Sequence, residues 1–122
     1  MKRLILSALL VAAPLTAVQA MNVATFLQKA EALQRKGIGA MFSSDIGLLK
    51  GEIKDASAAL RVERLAAEHA GRHGAYCPPA RFKLGSDEIL ASFRAVPPAQ
   101  RERTQVKDAL RGLFARKFPC RG

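Results

Sequence analysis

Two histidines and two cysteines are the residues of this chain whose types and spacing suit metal or redox chemistry. His69, His73 and Cys77 follow one another at intervals of four residues, and Cys120 lies near the end of the chain. Two imidazoles and two thiolates satisfy a tetrahedral zinc ion. Gly71, however, lies between the two histidines, and Gly74 lies between His73 and Cys77. These glycines interrupt the helical register that would align the three side chains. We therefore predict no metal and no cofactor here.

A disulfide explains the two cysteines better than zinc does. An even cysteine count in a small exported domain is typical of disulfide bonding, and export is predicted below from the N-terminus. With two cysteines in the whole chain, Cys77 can pair only with Cys120. The closed loop is long, so the chain-entropy model gives the crosslink about 4 kcal/mol. His69 and His73 are then left as candidate pH sensors, because imidazole changes charge in mild acid.

The remaining reactive side chains do not form a catalytic set. Asp87 and Glu88 are adjacent carboxylates, but neighbours on a helix point about 100° apart, and a first-turn capping role explains them more simply. Ser43 and Ser44 lack a strained nucleophile turn and a paired base. The sequence also contains no glycine-rich phosphate loop. We therefore predict a binding protein and not an enzyme.

Two long helices are expected in the first half of the mature chain. The first covers residues 24–36 and ends at Gly37. A short apolar link, residues 38–42, follows it. Residues 43–45 offer N-caps for the second helix, which extends to about Ala70. Lysines and arginines near one face of that helix are balanced by acids, which is typical of an ordinary solvated face.

Two shorter helices are expected in the second half, after a loop over residues 71–81 that contains Cys77. Ser86 is predicted to cap the first, which ends at the prolines of 96–98. The last begins at Thr104 or slightly earlier. Apolar residues recur at helical spacing in all four helices: Phe26, Leu27, Ala30, Leu33; Ile46, Leu49, Ile53, Ala56, Leu60, Ala67; Ile89, Leu90, Phe93; and Val106, Leu110, Leu113, Phe114. The fold class is therefore all-α: a small four-helix domain closed by one disulfide.

The N-terminus predicts export. Met1-Lys2-Arg3 is a positive stretch, the run from Leu4 to Val18 is apolar, and Val18-Gln19-Ala20 matches a cleavage site. A membrane-spanning helix needs about 20 apolar residues, whereas this run is shorter and contains Pro14. We expect a signal peptide over residues 1–20, cleaved after Ala20. The mature product is then a soluble periplasmic protein with one helical domain, residues 21–122, and no membrane span.

The charge of the chain is +10 and is concentrated at one end. We call residues 94–122 the basic pole, since they contain eight Lys and Arg against two acidic residues. Such a pole attracts nucleic acid, an anionic envelope surface or an acidic protein. Export and an aromatic content of 6% argue against nucleic acid, whose binding surfaces usually offer stacking side chains.

The C-terminal half resembles the periplasmic immunity proteins of the Tai-like family, which protect bacteria against peptidoglycan amidases delivered by type VI secretion. The resemblance lies in Tyr76-Cys77-Pro78-Pro79, the helix 86–93, the break Val96-Pro97-Pro98, Ala109-Leu110 and the ending Phe118-Pro119-Cys120. It implies a protein partner, an amidase toxin whose active site is blocked. Residues 42–50 have no counterpart in that pattern.

Two other functions fit the same sequence. A small disulfide-closed helical protein is also compatible with an envelope-stress or chaperone-like role on unfolded clients. A basic C-terminus is compatible with a structural protein bound to anionic envelope polymers. The sequence identifies no residue in contact with a partner and leaves the oligomeric state open.

Overall fold

A computed structural model describes residues 20–121. The predicted signal peptide therefore lies, except for Ala20, outside the described residues. Within them the chain is helical and contains no strand, as predicted. Its four α-helices are α1 (Val23–Lys36), α2 (Ser44–His69), α3 (Ser86–Arg94) and α4 (Val106–Lys117), and short 3₁₀ helices cover Gly37–Phe42 and Pro98–Gln100. No helix in this part of the chain is long and apolar enough to cross a membrane.

Local signals explain where α1 and α2 begin and end. The Asn22 side chain accepts a hydrogen bond from the Thr25 N–H at 2.8 Å, which satisfies one of the free donors of the first turn. Gly37 ends α1 with a φ of 55°, a conformation that costs glycine little. The Ser43 hydroxyl caps α2 by accepting from the Asp45 N–H at 3.3 Å.

The core forms where the apolar stripes of the four helices meet. Helix α4 lies centrally and packs against α2 and α3, while α1 packs against all three. Phe26 of α1 and Phe93 of α3 meet edge to face, with ring centroids 5.0 Å apart. Most of the predicted core residues are buried, and the others are partly buried: Leu33, Ile46, Ile53, Ala67 and Leu90.

The predicted start of α3 was wrong by one residue. Gly85, and not Ser86, is the N-cap: it is extended, with φ −77° and ψ 148°, and Ser86 is already helical. The Gly85 carbonyl accepts the first helical bond, from the Ile89 N–H at 3.1 Å. No side-chain hydrogen bond caps this helix. The acidic residues of its first turn, Asp87 and Glu88, therefore interact with the helix dipole without help from a capping hydroxyl.

The predicted start of α4 was also too early. Gln105 is extended and forms an isolated antiparallel bridge with Asn22. The Thr104 carbonyl accepts from the Val23 N–H at 2.8 Å, and the Val106 N–H donates to the Met21 carbonyl at 3.0 Å. The segment before α1 therefore holds residues 104–105 out of the helix.

Candidate interaction surfaces

The predicted disulfide is present between Cys77 and Cys120, whose Cα atoms are 4.9 Å apart. Next to it, the Cys77 N–H donates to the Phe118 carbonyl at 2.8 Å. Both cysteines are exposed, so the crosslink lies on the surface. It joins the loop after α2 to the segment after α4, which fixes the C-terminus against the body of the protein.

An aromatic cluster includes residues close to both cysteines in the sequence, Tyr76 and Phe118. Tyr76 is 5% exposed, and its ring centroid is 5.2 Å from that of Phe114. Phe82 contacts both Phe114, at 5.5 Å, and Phe118, at 4.7 Å. Sequence periodicity missed Tyr76 and Phe82 because both lie in the irregular segment between α2 and α3. Their closeness in sequence to Cys77, which the disulfide fixes, was the one sequence feature that could have indicated their place in the cluster.

The two histidines do not join the cysteines in a metal site. His69 is the last residue of α2, and His73 lies beyond Gly71, whose φ of 72° turns the chain. Both imidazoles are exposed. The two sulfur atoms are bonded to each other and are therefore not available as thiolate ligands. Among residues 20–121, no three His, Cys, Asp or Glu residues are grouped closely enough to hold a metal ion.

A group of ion pairs joins α2 to α4. The Glu63 carboxylate accepts from Lys107 at 2.7 Å and from Arg111 at 2.8 Å, and Arg111 also donates to Asp108 at 2.7 Å. Hydrogen bonds from Lys107 and then Arg111 lower the pKa of Glu63 below its usual value. The bond to Glu63, followed by that to Asp108, raises the pKa of Arg111. These charges therefore stabilise the α2–α4 contact.

Several cations of the basic pole also have structural partners. The Arg101 guanidinium donates to the carbonyls of Val96, at 2.9 Å, and Arg94, at 2.8 Å, and so satisfies the end of α3. Lys117 bonds to Glu88 at 2.8 Å, which links α4 to the acidic first turn of α3. Arg101 bonds to neutral carbonyls and so keeps its charge uncompensated, whereas the charge of Lys117 is compensated by Glu88.

A groove of about 270 Å³ opens between α3 and α4 on the basic pole. Its lining includes the apolar side chains of Val96, Pro97 and Ala109. Two charged residues also line it: Arg116, which donates to the Ser92 hydroxyl at 2.8 Å, and Asp108, which is paired with Arg111. Apolar side chains next to a cation held by Ser92 suit a partner's acidic or amphipathic side chain.

A smaller cleft of about 150 Å³ lies between α2 and the loop that follows it. Arg64 crosses this cleft and donates from Nη1 to Glu68 at 3.0 Å, while its buried Nε has no hydrogen-bond partner. Burial raises the pKa of the neighbouring Tyr76 phenol. Gly74 leaves room for the arginine, since a Cβ at that position would lie 3.1 Å from Arg64 Cγ. The cleft is therefore lined by an arginine whose position depends on the glycine opposite it.

The 3₁₀ helix Gly37–Phe42, which we call the apolar tip, is the most exposed apolar part of the described chain. Ile38 is 83% exposed, Met41 77% and Phe42 90%, and none of the six residues is buried. The sequence predicted an apolar link here but did not indicate that its side chains point to solvent. The presence of these three large apolar side chains is therefore not explained by packing in the core.

Comparison of this chain with protein-family models, curated proteins and solved structures finds no match. The resemblance to Tai-like immunity proteins therefore rests on the motifs of residues 76–120, and it stays a prediction.

Proposed function

We propose that this chain is an exported, non-enzymatic binding protein that inhibits a cell-wall-degrading amidase toxin in the periplasm, as the Tai-like immunity proteins do. The observation that carries this proposal is the groove between α3 and α4, whose lining combines apolar side chains with the Ser92-bound Arg116 on the basic pole. The groove lies within the segment that resembles that family.

Rigidity of this face supports stoichiometric inhibition. Arg101 and Lys117 tie α3 to its neighbours, and the disulfide fixes the chain end after α4. A surface ordered before binding loses less conformational entropy on association. A standard interface of about 800 Å² on each partner would extend from the groove over both helices.

The charge of the pole supports rapid recognition of an acidic partner. Complementary charge raises the association rate, and salt weakens that effect. Inhibition must act before the wall is cut, so a fast association rate has a direct benefit for the cell. An acidic rim around the toxin's active site is therefore the expected complement of the groove.

The test first reads the genes on either side of this one, where we expect a cell-wall amidase. That amidase is then expressed in the periplasm with and without this protein, and we expect rescue of growth and co-purification of the toxin. Ala95→Trp, at the rim of the groove, should reduce both, whereas Ala99→Trp, another exposed alanine outside the lining, should not. Failure of the unaltered protein to rescue or bind would reject the proposal, and equal behaviour of the two variants would reject the groove as the contact.

A further inference from the structure

The apolar tip has the composition of a segment that enters a membrane interface. Residues 37–44 contain no charged side chain, and the three large apolar side chains among them are almost fully exposed. Between Gly37 and Phe42 no side chain carries a hydrogen-bonding group. Some backbone polar groups of the 3₁₀ helix are paired within the segment: the Ser43 N–H, for example, donates to the Ala40 carbonyl at 3.0 Å. Such internal hydrogen bonds reduce the free-energy cost of moving the backbone out of water.

Cations border the tip. Arg35 and Lys36 precede it directly, and Lys50 follows in the second turn of α2. All three are exposed, and no ion pair found among residues 20–121 involves them. Asp45, the first acid after the tip, is paired with Lys29 at 3.3 Å. The local charge around the apolar side chains is therefore positive.

This combination favours lipid over a protein groove. Protein interfaces carry about one hydrogen bond per 100–200 Å², and the side chains of the tip offer none. A convex apolar tip with unpaired flanking cations meets instead the two requirements of interfacial binding, namely apolar insertion and attraction to anionic headgroups.

We propose that the apolar tip docks this protein on the surface of an anionic phospholipid bilayer. Ile38, Met41 and Phe42 enter the boundary between headgroups and acyl chains, to a depth of about 5–10 Å, while Arg35 and Lys36 contact the phosphates. The proposal concerns a different surface from the α3–α4 groove and does not depend on the inhibitor function.

The position of the tip leaves the groove accessible. The tip extends from the C-terminal end of α1, whereas the N-terminal end of α1 is bonded to Thr104, a residue that lines the groove. A helix of 14 residues spans about 21 Å. The bilayer contact and the groove therefore lie near opposite ends of α1.

The test uses a fluorescent reporter, because the chain contains no tryptophan. Phe42→Trp places a single indole in the tip, and Val62→Trp places one at an exposed apolar position of α2 outside the tip (68% exposed). The full chain recovered from an expressing bacterium is mixed with phosphatidylglycerol–phosphatidylethanolamine vesicles, after intact mass has established its N-terminus. We expect a blue shift for Phe42→Trp, none for Val62→Trp, and none for either on phosphatidylcholine vesicles.

Affinity measurements separate the apolar and charged contributions. Phe42→Ser should weaken co-sedimentation with the anionic vesicles by about tenfold or more, compared with little change for Val62→Ser. Arg35→Gln/Lys36→Gln should also weaken it by more than about tenfold. Arg72→Gln/Arg81→Gln, which removes two exposed arginines outside the tip, should have a small effect.

Three results would overturn the membrane proposal. The first is an unchanged Phe42→Trp spectrum with anionic vesicles. The second is an equal shift of the two reporters, which indicates non-specific adhesion. The third is loss of toxin binding in lipid-free solution on Phe42→Ser together with no vesicle binding, which identifies the tip as a protein contact. Failure of toxin inhibition alone bears on the inhibitor function and not on this proposal.

Discussion

Glu63 shows how a single residue connects two helices, α2 and α4. It is exposed and lies three residues after Leu60, whose side chain is buried in the core. Its carboxylate holds Lys107 and Arg111 of α4. Leu60 is thus buried away from water, whereas the Glu63 ion pairs are partly solvated. Leu60 should therefore contribute more to the free energy of unfolding than Glu63 does.

Replacing Leu60 tests the dry contact. Leu60→Ala should lower the free energy of unfolding by about 2–5 kcal/mol, because it removes buried methyl groups and leaves a cavity. Val62→Ala, two residues away on the exposed face of the same helix, should change it by less than about 0.5 kcal/mol. Urea unfolding followed by circular dichroism measures both. Equal losses in the two variants would contradict the assigned core face of α2.

Replacing Glu63 tests the solvated contact. Glu63→Gln should cost about 0.5–1 kcal/mol near neutral pH, since exposed ion pairs contribute little individually. The pKa of Glu63 is lower in the folded protein than in the unfolded chain, so the pairing stabilises above the unfolded pKa and is lost as pH falls through the folded one. The stabilities of variant and parent should therefore converge in acid. A difference that persists at about pH 2 would contradict an electrostatic cause.

The elements that sequence patterns predicted well are those stabilised by local signals and a continuous apolar period. All four helices were predicted, with Gly37 ending α1 and Ser43 capping α2, while α1 begins at Val23, one residue before the predicted start, because Asn22 caps it. The missed features depend on contacts between distant segments. Gln105 is extended because it pairs with Asn22, and the burial of Tyr76 follows from the ring of Phe114.

The candidate sites were less predictable than the helices. Pairing of the two cysteines followed from their number, and the basic pole followed from composition. The groove required the relative positions of α3 and α4, which no local pattern specifies. The exposure of the apolar tip was likewise hidden, because an apolar run indicates burial as readily as it indicates an exposed binding segment.

The junction between α1 and the tip can be tested through its glycines. Gly37 has a positive φ of 55° and Gly39 does not, while a Cβ at either position would meet no atom within 4 Å. Gly37→Ala should therefore destabilise the protein by about 1 kcal/mol through backbone strain alone. Gly39→Ala should be neutral or slightly stabilising. Thermal unfolding compares the two, and a neutral Gly37→Ala would contradict the left-handed end of α1.

At the scale of the whole molecule, one crosslink closes the fold. The disulfide joins residues 43 positions apart and connects the two segments that contribute Tyr76 and Phe118 to the aromatic cluster. A small helical domain has a net stability of only about 5–15 kcal/mol, so a single covalent tie is a large part of the total.

Removing the crosslink should therefore have a global effect. Cys77→Ser/Cys120→Ser should lower the free energy of unfolding by about 4 kcal/mol, because the unfolded chain regains the entropy of an open loop. Urea unfolding of this variant should match that of the unaltered protein in excess thiol reductant. A variant as stable as the oxidised protein would show that the packing of α4 alone fixes the C-terminus.

The exposed position of that crosslink has a consequence for its redox behaviour. Cys77 and Cys120 are both exposed, so a thiol or a thiol–disulfide oxidoreductase can reach the bond in the folded protein. Thiol–disulfide exchange is reversible, and a reducing compartment keeps such cysteines as thiols. The stability that the crosslink adds to the fold therefore depends on the redox state of its surroundings.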